Sequence, residues 1–105
     1  IGFVKIEPIA TSPVTIGDRQ AIPVRDPLPS YPRPMAEAGI EGTCDVRFDL
    51  DARGRPYNVV ATCTHSGFER EAARAVGRAE FAPAFDRGQP VQQVGMLYPL
   101  VFKLS

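Results

Sequence analysis

The stretch Thr43-Cys-Asp-Val-Arg-Phe-Asp-Leu-Asp51 decides the fold. It alternates strictly, with Cys44, Val46, Phe48 and Leu50 pointing one way and Asp45, Arg47, Asp49 and Asp51 the other, which is the pattern of a half-buried strand. Ala52-Arg53-Gly54-Arg55 follows as a turn in which Gly54 can take a positive φ. Tyr57-Asn-Val-Val-Ala-Thr-Cys63 then reads as a second strand with Tyr57, Val59, Ala61 and Cys63 on one face. If the turn is centred between Arg53 and Gly54, Leu50 faces Tyr57, Phe48 faces Val59, Val46 faces Ala61 and Cys44 faces Cys63. A slip of one residue would set the apolar face of one strand against the polar face of the other. The two cysteines are therefore expected as cross-strand neighbours, within disulfide reach at a non-hydrogen-bonded position.

Downstream the period changes. In His65-Ser-Gly-Phe-Glu-Arg-Glu-Ala-Ala-Arg-Ala-Val-Gly-Arg-Ala-Glu-Phe81, Phe68, Ala72, Ala75, Val76 and Ala79 form an apolar helical stripe. Arg70, Arg74 and Arg78 line the opposite side, and Ser66 with Glu69 has the spacing of a capping box. A turn-rich loop leads to a long strand over residues 91–104, in which Val94, Met96, Tyr98, Leu100, Phe102 and Leu104 share a face. Upstream, residues 32–38 suit a short helix with prolines in its first turn, ended by Gly39.

A strand, a helix and a return strand make a right-handed crossover, so the third strand runs parallel to the second, with the first strand between them. The expected architecture is α+β: a three-stranded antiparallel sheet in the order second, first, third, with one main helix packed on one face and a short N-terminal helix. The third strand is then an edge. Pro99 agrees, because proline brings no ladder donor and belongs at sheet borders. At about 3.3 Å per residue the strand outruns its neighbour and leaves part of its length open to a partner.

The chain has 105 residues and equal numbers of acidic and basic side chains, 12 of each. That length is one domain, and the balance gives no field that points to nucleic acid or an anionic membrane. No apolar run approaches the ~20 residues that span a bilayer. Because it starts at Ile1 rather than methionine, the chain reads as a processed or excised piece whose membrane anchor can have stood upstream. Seven of the 11 prolines fall at Pro8, Pro13, Pro23, Pro27, Pro29, Pro32 and Pro34, so residues 1–30 read as a proline-rich linker end or extension and residues 31–105 as the domain. Phe3-Val-Lys-Ile6 and Val14-Thr-Ile16 are compatible with strands laid against the body, and the sequence leaves their structure open.

Little chemistry is on offer. His65 reads as a polar residue before a helix start. Its alternative, zinc with Cys44 and Cys63, lacks a fourth ligand and the usual paired spacing. Cys63 as a nucleophile served by His65 has no third group or oxyanion donors. No phosphate loop, carboxylate pair or nucleophile elbow occurs, and neither cofactor nor metal is expected. Asp45, Asp49 and Asp51 read as a wet strand face, and the arginine stripe as a solvated helix face. The reading is a non-enzymatic binding module.

Tyr31-Pro32, Gly39-Ile-Glu-Gly42 before the first strand, Asp51 to Gly54 at the hairpin, Phe68-Glu69 on the helix, Phe81-x-Pro83, Gly88-x-Pro90-Val91 and Phe102 occur in an order and spacing that resembles the TonB C-terminal domain family across nearly all of residues 31–104. The resemblance implies the periplasmic domain of an inner-membrane energy transducer, anchored by an upstream helix and driven by the ExbB and ExbD motor. Its implied partners are TonB-dependent outer-membrane transporters, whose TonB box adds as a strand beside the third strand in active uptake of iron chelates or vitamin-like nutrients. Carried over by position, the edge residues are Val94, Gly95, Met96, Leu97, Tyr98, Pro99 and Leu100, flanked by Leu28, Tyr31, Phe81 and Phe85. The chain departs from the family in lacking a glutamine in Arg25-Asp-Pro-Leu-Pro-Ser30, in Phe81 where tyrosine is common, and in its cysteine pair, though a disulfide suits a periplasmic address. The alternative is a TonB-like periplasmic scaffolding or self-association module, a homodimer included, with another envelope partner.

Overall fold

The strict alternation at residues 43–51 builds the centre of the molecule. In a computed structural model, which describes residues 2–6 and 22–104, it forms the strand β3, Gly42–Leu50. The other strands are β1 (Gly2–Ile6), β2 (Ile22–Arg25), β4 (Pro56–Cys63), β5 (Glu80–Ala82), β6 (Ala84–Asp86), β7 (Gln89–Val91) and β8 (Gln93–Leu104). Two helices, α1 (Arg33–Glu37) and α2 (Glu69–Gly77), complete the α+β fold. The main sheet runs β1-β8-β3-β4 and is antiparallel at every junction. Two small ribbons, β2 with β5 and β6 with β7, stand apart from it.

The order β4-β3-β8 expected from the crossover is present, but the sheet has four strands rather than three. The fourth is β1, which pairs with the last five residues of β8 in the register Gly2↔Leu104 to Ile6↔Leu100. It is a five-residue run in a proline-rich segment, so no local pattern says what it pairs with. The run Val14-Thr-Ile16 lies outside the described residues.

One face of β3 is fully inside: Cys44, Val46, Phe48 and Leu50 are each no more than 2 % exposed. Met96, Tyr98, Leu100 and Phe102 of β8 continue that face, and Phe68, Ala72, Ala75 and Val76 close it from the helix. Each large side chain withdrawn from water in this way contributes about 1.5–3 kcal/mol. The alanines of α2 let it lie close on β4 and β3. Aromatic rings fill one end: Phe68 stacks on Phe102 with centroids 4.5 Å apart, and Tyr31 meets both edge-on.

The helix begins differently from the capping-box expectation. Residues 66–68 form a 3-10 turn, no side chain caps α2, and the Glu69 carboxylate instead accepts the N–H of Cys63 at 3.2 Å. Glu69 thus ties the helix start to the end of β4 rather than closing on Ser66. The turn-rich loop after the helix also proves more ordered than its composition suggests, with β6 and β7 joined by Arg87-Gly88, both at positive φ.

The β3–β4 register matches expectation from Cys44↔Cys63 to Arg47↔Val60 and then shifts, giving Asp49↔Tyr57. The extra residue is Asn58, at φ 52°. The bulge turns Tyr57 outward, against its expected place on the core face, and leaves it 38 % exposed. The hairpin turn itself is pinned by Asp51, whose Oδ1 accepts the N–H groups of Arg53 and Arg55, each at 2.9 Å. Gly54 (φ +82°) accepts the Phe81 N–H, and a Cβ there would sit 1.8 Å from the Phe81 carbonyl oxygen. Gly54→Ala is therefore expected to cost at least about 1–3 kcal/mol from backbone strain, with the clash in addition. Urea denaturation measures it, as a lower midpoint with unchanged slope.

Candidate partner-binding edge

The Cys44–Cys63 disulfide fixes the polarity of every backbone group on the adjoining ladder. Its Cα atoms are 4.0 Å apart, the close approach of a non-hydrogen-bonded antiparallel pair. Cys44 therefore turns its own N–H and C=O away from β4 and toward β8, where it faces Leu100. By alternation Leu100, Tyr98 and Met96 direct their backbone groups into β3, while Leu97, Pro99, Val101 and Lys103 direct theirs to the outer edge. Pro99 thus has its donor-less nitrogen on the outside, where it interrupts no bond to β3.

Val101 and Lys103 meet β1, opposite Lys5 and Phe3. Among the described residues no strand pairs with β8 on that side over 94–99. The edge is thus partly filled, not open along its whole length.

Of the seven edge residues named from sequence, Met96, Tyr98 and Leu100 send their side chains into the core, whereas Leu97 and Pro99 lie half-buried on the face of the sheet away from the helix. Val94 does not share the face of Met96: it is 52 % exposed, and Gln93 is turned inside. The cause is a second bulge, between Phe48↔Met96 and Leu50↔Gln93, with Gly95 at φ +74°. Asp49 holds both irregularities. Its Oδ1 accepts the Gly95 N–H at 3.0 Å and its Oδ2 the side-chain amide of Asn58 at 3.1 Å. A residue expected to be only a wet surface carboxylate thus sets the geometry where the edge begins.

The four flanking residues divide. Tyr31 is wedged between Phe68 and Phe102 and donates its hydroxyl to the Ile40 carbonyl. Phe81 is buried against Phe48, with centroids 5.5 Å apart. Phe85 is half-buried in the β6–β7 ribbon. Only Leu28 is broadly accessible, at 75 % exposure. It belongs to the segment between β2 and α1, which buries Pro27 and brings Asp26 toward Tyr98. Burial, with the Asp26 charge in addition, pushes the Tyr98 hydroxyl up to about 12, so it stays protonated and uncharged beneath the edge.

Glu71 clamps that segment to α2. It accepts the Ser30 N–H at 2.6 Å and two hydrogen bonds from the Arg74 guanidinium, which stays exposed on the helix face as expected. The Arg74 hydrogen bond lowers the Glu71 carboxyl below the ordinary glutamate range, with the Ser30 N–H adding to it against partial desolvation.

The disulfide removes both thiols from any zinc or nucleophile scheme, and free cysteines are absent among the described residues. His65 is exposed, edge-on to Phe68 at 6.3 Å. No group of three or more His, Cys, Asp or Glu side chains converges among the described residues.

The chain is matched by the family model for the C-terminal region of the Gram-negative bacterial TonB protein, over residues 27–104. The chain belongs to the TonB C-terminal family. The match takes in Leu28 and the whole of β8. Comparison with curated proteins gave no match. TonB C-terminal domains are periplasmic interaction domains that engage outer-membrane transporters. An oxidised cysteine pair suits that compartment. Among the described residues no helix is long and apolar enough to cross a membrane.

Two measurements check the local chemistry. Alkylation without reductant should leave the mass unchanged, and the Cys44→Ala/Cys63→Ala pair should lose about 2–4 kcal/mol in denaturant unfolding, as expected for a closed loop of this length. For Glu71 the folded pKa lies below the unfolded one, so its contribution is present at neutral pH and is lost as pH falls through the folded value. Glu71→Gln should flatten the acid limb of the stability profile, where pH falls through and below the ordinary glutamate range, seen by thermal melts at descending pH.

Proposed function

We propose that this TonB-family domain takes up a short extended segment of an outer-membrane transporter, its TonB box, as an added strand along residues 94–100 of β8. The domain then passes on force from an ExbB–ExbD motor for active uptake of iron chelates or vitamin-like nutrients. On this reading residues 31–105 are the working domain and residues 1–30 the end of a spacer from an inner-membrane anchor. The observation that carries it is the outward-directed backbone at Leu97, on a stretch of edge that β1 does not reach among the described residues. Strand addition suits a load-bearing contact: ladder bonds pulled along the strand are loaded together, and side chains on alternate positions give selectivity. Behind the edge, β3 is tied to β4 by the disulfide, so β8 is anchored on a cross-linked pair. Leu28 supplies exposed apolar surface at the flank, while Tyr31 and Phe81 support the edge from the core.

The second reading is the scaffolding or self-association module. It is favoured by β1 itself, since an edge that accepts an antiparallel strand of its own chain can accept the same strand from a second copy. A dimer in sedimentation velocity that persists on dilution, with no response to peptide, would select it.

A TonB-box peptide titrated into the labelled domain should shift the amides of residues 94–98 and of Leu100 and Val101. Unchanged amides at saturating peptide would sink the proposal. Leu97→Pro removes an outward donor and spares the bonds to β3, so it should weaken the peptide by about 3- to 10-fold while leaving thermal stability nearly unchanged.

A further inference from the structure

We infer that the outer edge of β8 is a two-part site divided at Pro99, in which β1 is a built-in occupant that competes with a long partner strand. The inference rests on the reading of β8 as the partner edge and adds its regulation.

The argument starts from which backbone groups face outward. Over the part that β1 leaves uncovered, Leu97 offers one N–H and one C=O, and the Gly95 N–H is already given to Asp49. At Pro99 an added strand finds no donor, so any ladder built along this edge has a gap there. Beyond the gap lie Val101 and Lys103, each with an N–H and a C=O directed outward, and both stand opposite β1, at Lys5 and Phe3. The stronger part of the edge is the part already taken. A strand confined to the uncovered part gains few main-chain bonds, whereas one that continues past Pro99 must replace β1 bond for bond.

What β1 brings to this contest is small. It is five residues long and, among the described residues, pairs along one side only, with β8. It also lies outside the residues that match the family model, which begin at residue 27. The core face of β8 is closed by Phe68, Tyr31 and the α2 alanines, none of which belongs to β1. Exchanging β1 for a partner strand trades one antiparallel ladder along Val101 and Lys103 for another of the same geometry. Such a strand raises the length a partner needs for tight binding and keeps residues 100–104 of the edge covered when no partner is present.

Lys5→Pro in the full chain tests this, because it removes the β1 donor opposite Val101 without shortening the protein; a chain lacking residues 1–6 is the second variant. The probes are a ten-residue TonB-box peptide and a peptide copying Gly2–Ile6. The TonB-box peptide should bind both variants about tenfold more tightly than the native chain and shift Val101 and Lys103 along with Leu97. The Gly2–Ile6 peptide should shift Val101 and Lys103 of the truncated chain and leave the native chain unchanged. Equal TonB-box affinity for native and variant chains, with Leu97 still shifting, would overturn the competition and leave the strand-addition reading intact. No shift of Leu97 in any of the three chains would overturn both. A truncated chain that ignores the Gly2–Ile6 peptide would overturn β1 as an exchangeable occupant.

Discussion

The hydrogen-bonding of β3 along both of its edges is the constraint on which the rest of the molecule depends. One nine-residue strand is paired with β4 on one side and β8 on the other, and its inward residues Cys44, Val46, Phe48 and Leu50 form the floor of the core. Because side chains alternate with a period of two, a slip against either neighbour would expose this floor. The cross-strand disulfide locks one ladder, and Asp49 spans both at their shared end through Asn58 and Gly95. The covalent bond and the carboxylate therefore hold the same register from opposite ends of the strand.

The character of the edge follows from that register. Once Cys44 directs its backbone toward β8, alternation leaves no freedom in which β8 residues face outward, and Pro99 falls on the outside. Had the ladder been shifted by one, the missing donor would have faced β3 and weakened the pairing that carries the edge. The bulge at Gly95 then turns Val94 out of the sheet and marks where regular pairing starts. Around this border the remaining aromatics serve as supports: Tyr31 and Phe81 are consumed in packing, and Glu71 fastens the segment bearing Leu28 to the helix.

Much of this was legible in the residues. The alternation of β3, the helical stripe of α2, the strand order of the hairpin and β8, and the pairing of Cys44 with Cys63 could all be read from pattern and spacing, while the family came from a resemblance of motifs. These signals are strong because burial enforces them: a core face tolerates few polar residues, so its period is written in the chain. Less legible were the positions of Tyr57 and Val94, which alternation placed inside and the bulges placed outside. A bulge inserts one residue without altering the apolar pattern around it, so the only local hints were Asn58 and Gly95, residue types that accept a positive φ. The capping box was legible but unused, because Glu69 found a better placed donor at Cys63.

The sequence by itself determined the sheet's core face, the helix that covers it, the cysteine pairing and the placement of Pro99 at a border. These rest on local periodicity and on the exclusion of polar groups from the interior, which any chain of this pattern must obey. Only the tertiary structure decided that the border strand is shared, with β1 on residues 100–104 and the rest of the edge left uncovered among the described residues. It alone decided that Asp49 and Glu71, two ordinary carboxylates in the sequence, hold a bulge and a crossing segment in place. The reason is physical: which strand fills an edge, and which carboxylate meets which N–H, depends on contacts between residues far apart in the chain, and no local period records them.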